Sequence, residues 1–83
     1  MKNLYFNEFR TKNDVNGNSR RMLEVFDENG DLIVVIKYGG FNYEQALNEG
    51  LPNRDSYKCI QMSTYVWITP SEYRLRTVNA IVL

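Results

Sequence analysis

Arg21-Met22-Leu23-Glu24-Val25-Phe26, Asp27-Glu28-Asn29-Gly30-Asp31 and Leu32-Ile33-Val34-Val35-Ile36-Lys37-Tyr38 follow one another without a break, and their reading decides the fold. The first and third segments are rich in β-branched and aromatic residues, which suit a pleated surface. The middle segment centres on Asn29-Gly30. This is the strongest short-range hairpin signal, because both residues tolerate positive φ. The spacing predicts strands over 21–26 and 32–38 joined by a tight turn. The run from Leu32 to Ile36 is apolar on both faces, so the second strand is expected inside a sheet rather than at its edge.

Working outward, Lys2 to Arg10 reads as another strand, with Tyr5 and Phe9 on one face and Leu4 and Phe6 on the other. Thr11 to Ser19 is the least apolar stretch and is expected to be an exposed, mobile loop. After Gly39-Gly40, residues 42–50 read as a short helix. Asn42 is its N-cap, Gln45 stands three residues on as in a capping box, Gly50 is the C′ residue, and Pro52 blocks continuation. Phe41 is placed to staple onto Ala46. Tyr57 to Thr69 alternates as a long strand, with Ile60, Met62, Val66 and Ile68 on one face and Tyr57, Cys59, Tyr65 and Trp67 on the other. Pro70-Ser71-Glu72 reads as a turn, and Tyr73 to Leu83 as a last strand bent near Thr77 to Asn79.

The resulting order is β-β-β-α-β-β in one small domain, residues 1–83. It implies an α+β fold, a mostly antiparallel sheet of about five strands with one short helix, or alternatively a small half-open barrel.

Composition narrows the chemistry. There is no histidine, one cysteine and one tryptophan, Cys59 and Trp67. Histidine triads, cysteine–histidine dyads and four-cysteine zinc sites are therefore excluded. No Walker lysine and no G-x-G-x-x-G are present, and a strand-to-helix turn accounts for Gly39-Gly40. Asp27, Asn29 and Asp31 alternate like the start of a calcium loop, but Gly30 stands fourth where that loop needs its glycine sixth, Tyr38 stands twelfth where it needs a glutamate, and strands flank it. The carboxylates do not form a cleft-lining pair. We expect no enzyme activity, no metal and no cofactor. The start of the chain lacks a signal-peptide pattern and the apolar runs are too short to span a membrane, which with a single cysteine suggests a cytoplasmic protein.

Net charge is zero, with ten cations and ten anions, yet the distribution is uneven. Residues 25–55 hold six carboxylates against Lys37 and Arg54, while both flanks are basic. The acidic residues Asp27, Glu28, Asp31, Glu44 and Glu49 are candidates to meet a basic protein partner. Tyr57, Tyr65, Trp67, Tyr73, Arg74 and Arg76 have the residue types of binding hot spots. The same aromatic and arginine set, laid on a sheet face, would stack single-stranded bases, although the missing positive excess counts against nucleic acid. The uncharged stretch 78–83 would be an aggregation-prone edge if left bare. Val78, Ile81 and Val82 are therefore candidates for self-association as a homodimer, the alternative being insertion of this strand beside Leu32–Tyr38.

The expected function is a non-enzymatic protein-binding module. Small size, ten asparagines and the lack of catalytic groups give it the character of a phage or mobile-element inhibitor or regulator of a bacterial enzyme or defence complex, anti-CRISPR-like in character. A small single-stranded nucleic-acid-binding module and a virion or scaffold component are the alternatives.

Overall fold

The structure is a computed structural model. It describes residues 1–13, 15–39 and 42–83, with side chains at all of these except 63–65. The elements follow in the order β1 (Lys2–Thr11), β2 (Arg21–Phe26), β3 (Leu32–Tyr38), α1 (Tyr43–Gly50), a 3-10 turn (Arg54–Ser56), β4 (Tyr57–Ile68), α2 (Pro70–Arg76) and β5 (Ile81–Val82). The strands form one open five-stranded sheet in the order β4-β1-β2-β3-β5. The half-open barrel is thereby set aside, and the α+β class stands.

The central hairpin forms where expected, with Leu23 opposite Ile36 and Val25 opposite Val34. Its turn differs in one respect. Gly30 alone takes positive φ, at 85°, and Asn29 does not. Asp27 Oδ1 accepts from the N–H of Asn29 at 2.9 Å and from that of Asp31 at 3.0 Å. That side chain closes the loop as an Asx turn, so only one residue has to enter the left-handed region.

The sheet is mixed rather than mostly antiparallel. β1 pairs β2 and β2 pairs β3 antiparallel, but β1 pairs β4 and β3 pairs β5 parallel. Only β2 runs against the other four. Each parallel pair follows a helical crossover: the connection through α1 brings β4 in parallel to β1, and residues 70–83, which form a helix and a two-residue strand instead of one long strand, bring β5 in parallel to β3. Thr69 caps the helix: Glu72 N donates to its Oγ1 at 3.2 Å, and its hydroxyl donates to Glu72 Oε1 at 3.1 Å. Pro70 occupies the first turn, where its missing N–H costs nothing. The helix ends at Thr77, whose hydroxyl donates to Tyr73 O at 2.8 Å.

Two helical crossovers therefore link parallel strands. The chain from β3 to β4 crosses the sheet in one direction, and the chain from β4 to β5 crosses it in the other. A common handedness for both then requires the helices on opposite faces. That is where they lie. Ala46 and Leu47 of α1 pack on Leu4, Phe6, Leu23, Val25 and Ile36. On the other face, Tyr73 of α2 packs with Phe9, Met22, Val35 and Ile68.

Gly50 is the last residue of α1 rather than a residue beyond it, and Leu51 is the cap. Its role is close approach: a Cβ there would stand 2.5 Å from Ile36 Cδ1 and 3.0 Å from Ile36 Cγ2. Asn42 caps α1 as expected, with Gln45 N donating to Oδ1 at 3.0 Å. The expected staple from Phe41, and Gly40, lie outside the described residues.

β4 carries two extra residues relative to β1, with register shifts between Phe6 and Asn7 and between Asn7 and Phe9. One such bulge exchanges the two faces of a strand, and a second restores them. The face assignments at both ends of β4 therefore survive. Cys59 opposes Leu4 on the α1 side, and Val66 opposes Phe9 on the α2 side.

Candidate functional site

Two surfaces stand out once the fold is placed. The first is a row of side chains across the end of the sheet. Arg10 opposes Trp67 on β4, Arg10 opposes Arg21 on β2, and Arg21 opposes Tyr38 on β3. Residues directly opposite each other on neighbouring strands point to the same face. The register thus builds the row Trp67–Arg10–Arg21–Tyr38 over four adjacent strands, about 14 Å at the usual strand spacing. The Arg10 guanidinium lies over the Trp67 ring, 5.3 Å from its centroid. Like charges directly opposite in a sheet are unfavourable. For Arg10, the contact with the aromatic ring offsets part of this.

An open groove of about 720 Å³ lies along the Arg10–Arg21–Tyr38 part of this row. Arg10, Arg20, Arg21, Tyr38 and Asn42 line it, with Ser19 and Gly39. No carboxylate lines it among the described residues, and three of the six arginines of the chain do. Asn42 is the N-cap of α1, so the positive end of that helix adds to the field.

The second surface surrounds β5. Leu75, Val78, Ile81 and Leu83 are 76%, 73%, 66% and 52% exposed, and Val82 is 41% exposed. Leu83 N donates to Val35 O at 2.8 Å, and Leu83 O accepts from Lys37 N at 3.3 Å. Leu83 thus turns both backbone groups to β3. Strand alternation then turns those of Val82 toward the open edge. The edge is apolar on both faces of the sheet.

The residues expected to bind a partner are distributed differently from the sequence reading. The acidic set does not form one patch. Asp27 closes the hairpin turn, Glu28 Oε1 accepts from Asn3 N at 3.2 Å, and Glu44 pairs with Arg54 at 2.7 Å. Asp31 is exposed beside the turn and Glu49 is exposed on α1. The aromatic and arginine set is divided between two faces. Tyr57 is half-buried against the α1 core, and Trp67 lies in the row. Tyr73, Arg74 and Arg76 belong to α2 on the opposite side. Tyr73 packs against Phe9 with ring centroids 6.0 Å apart, and burial raises its hydroxyl above the usual tyrosine range. Arg76 pairs with buried Glu24 and lies over the Phe9 ring at 5.8 Å. Arg74 is exposed. The side chain of Tyr65 lies outside the described residues. Val78, Ile81 and Val82 are exposed.

Arg10, Arg20, Arg21 and Tyr38 were absent from the sequence reading. No local signal marks them, because only strand register brings them together. Burial pushes the Cys59 thiol up, against the pull of Arg54, which disfavours a reactive thiolate. Among the described residues, no group of three or more carboxylates and cysteines is placed to hold a metal ion, and no helix is long and apolar enough to cross a membrane. No family model, no curated protein and no solved structure matches the chain.

Proposed function

We propose that this chain is a non-enzymatic protein-binding module that uses the surface around β5, and that a second copy of the chain is its first occupant. One observation carries the reading. Five apolar side chains between Leu75 and Leu83 are each more than 40% exposed around an unpaired strand edge. Contiguous apolar surface next to free backbone hydrogen-bonding groups is what another chain extends by adding a strand. A domain of this size gains stability from a shared interface. Antiparallel pairing of two β5 strands about a twofold axis removes the edge from both copies.

The test is substitution at the surface. Ile81 is 66% exposed, so Ile81→Lys is compatible with the monomer fold. The proposal expects this variant to keep the circular dichroism of the wild type while its mass in solution falls. Identical masses for wild type and Ile81→Lys overturn the assignment of this surface.

A further inference from the structure

We infer that the aromatic patch beside the hairpin turn, on the face of the sheet that carries α2, docks a basic and apolar segment of another protein, one of whose arginine or lysine side chains lies over Tyr5 and Phe26 and reaches Asp27 and Glu28. The site stands on residues other than those of the β5 surface, so either can fail without the other.

Helix α2 is too short to cover its face. Tyr73 sits on Phe9, and Arg76, one turn further, reaches Glu24. Seven residues of helix span about 10 Å. Same-face residues along a strand stand about 7 Å apart. The helix therefore covers the cross-strand pairs Phe9–Met22 and Asn7–Glu24 and ends before the next one, Tyr5–Phe26. Ile60 extends that pair onto β4. Tyr5, Phe26 and Ile60 are half-buried, and none of them belongs to either core cluster. A cavity of about 320 Å³ opens there, lined by Tyr5, Phe26, Asp27, Glu28, Gly30 and Met62. Among the described residues, neither helix contributes to it. Met62 is the residue that the first bulge of β4 leaves unpaired, and it is 52% exposed.

The floor is apolar and the rim is anionic. Asp27 Oδ1 accepts from the N–H groups of Asn29 and Asp31, and Glu28 Oε1 accepts from Asn3 N. These bonds hold both carboxylates at the cavity and use one oxygen of each. Among the described residues, neither carboxylate is in an ion pair and no cation lines the cavity. Lys58, exposed opposite Asn3, stands one cross-strand pair further out. A guanidinium or ammonium group over the aromatic rings gains from their negative faces and from the carboxylates together. Its apolar stem, and an apolar neighbour in the same segment, meet Met62. The cavity is open and at the lower limit of small-ligand pockets, so it suits one side chain of a larger partner. A nucleic acid or an acidic segment would bring like charge against Asp27 and Glu28.

The experiment follows the amide signals of the isotope-labelled whole chain by NMR. The probe is a short, end-blocked peptide of alternating leucine and arginine. Peptides of the same length with glutamine or glutamate in place of arginine are the comparisons. The arginine peptide should shift Tyr5, Phe26 to Gly30 and Met62 and bind most tightly, and the glutamate peptide should leave these signals in place. Glu28→Gln keeps an acceptor for Asn3 and should weaken the arginine peptide about two- to fivefold, the range of an exposed ion pair. Glu49→Gln makes the same change of charge at an exposed position on α1 and should leave binding unchanged. Met62→Lys, also exposed, should abolish it. The spectrum of each variant reports that it is folded. Four results overturn the site: no shift of these signals by the arginine peptide, equal weakening in Glu28→Gln and Glu49→Gln, undiminished binding to Met62→Lys, or the glutamine peptide binding as tightly as the arginine one. Shifts of the same signals with protein concentration alone would overturn it too, and would assign the patch to a second copy of the chain.

Discussion

Glu24 and Arg76, 52 residues apart in the chain, close an ion pair between β2 and α2. Glu24 is 1% exposed and Arg76 is 38% exposed at its side chain. The second partner of Glu24 is Asn7, directly opposite on β1, whose Nδ2 donates to Oε1 at 3.1 Å. Oε2 is buried with no hydrogen-bond partner. Helix α2 has no buried residue of its own. The pair is therefore a principal attachment of α2 to the sheet, alongside Tyr73 on Phe9.

Arg76→Ala should leave a buried carboxylate without its counter-charge. Removing one partner of a buried pair is strongly destabilising, but solvent screens the exposed half of this one. The expected loss is about 1–3 kcal/mol by denaturant unfolding. Repeating the substitution in a Glu24→Gln background should recover most of that loss. Equal losses in the two backgrounds would assign the effect of Arg76 to its stem packing on Phe9.

Burial raises the Glu24 carboxyl above its ordinary value of 4.5, and the hydrogen bond from Asn7 and the charge of Arg76 only partly offset it. The folded protein then holds this proton more tightly than the unfolded chain does. The resulting stabilisation is complete below about pH 4.5 and is lost as pH rises through the raised folded value. Glu24→Gln should remove this component, so the variant should gain on the wild type as pH rises above 4.5. Thermal melts of both proteins from acid to neutral pH measure it. Parallel profiles would show that the Glu24 proton is held no more tightly in the fold.

Gly50→Ala should destabilise the protein by roughly 1–3 kcal/mol, the usual cost of overpacking. The new Cβ meets the side chain of Ile36, which is 4% exposed and β-branched, so it has little freedom to withdraw. Ile36→Val in the same protein removes the Cδ1 contact but keeps a carbon at the Cγ1 position, 2.7 Å from the new Cβ, so it should restore only a small part of the loss. A melting temperature unchanged by Gly50→Ala would mean that α1 shifts freely on β3.

Gly30→Val should cost roughly 1–2 kcal/mol, because φ of 85° is closed to a β-branched residue. Gly30→Asn should cost less, since asparagine tolerates the left-handed region. Equal melting temperatures for the two variants would place the strain elsewhere in the turn.

The parts of the fold legible in the sequence are those fixed by neighbours along the chain. The hairpin is specified by β-branched strands and Gly30, helix α1 by Asn42 and its capping partner Gln45. Helix α2 carried the same kind of signal, Thr69-Pro70-Ser71-Glu72, but the tyrosine and β-branched residues that follow favour a strand in isolation. Tertiary packing of Tyr73 on Phe9 decides for the helix. Once residues 70–76 turn helical, β5 returns parallel to β3, and the antiparallel expectation fails there as it does at the β1–β4 pair, which the α1 crossover makes parallel. The arginine row depends wholly on register. Arg10, Arg21, Tyr38 and Trp67 lie on four different strands, and no spacing along the chain connects them. The burial of Glu24 is equally hidden, because its partner Arg76 comes from the far end of the sequence.

The central claim, that the β5 surface binds a second copy of the chain, is tested most directly by light scattering of the wild-type protein across a range of concentrations. The account predicts a mass that rises with concentration to twice the 9.8 kDa of one chain. A mass of 9.8 kDa at every concentration would contradict it.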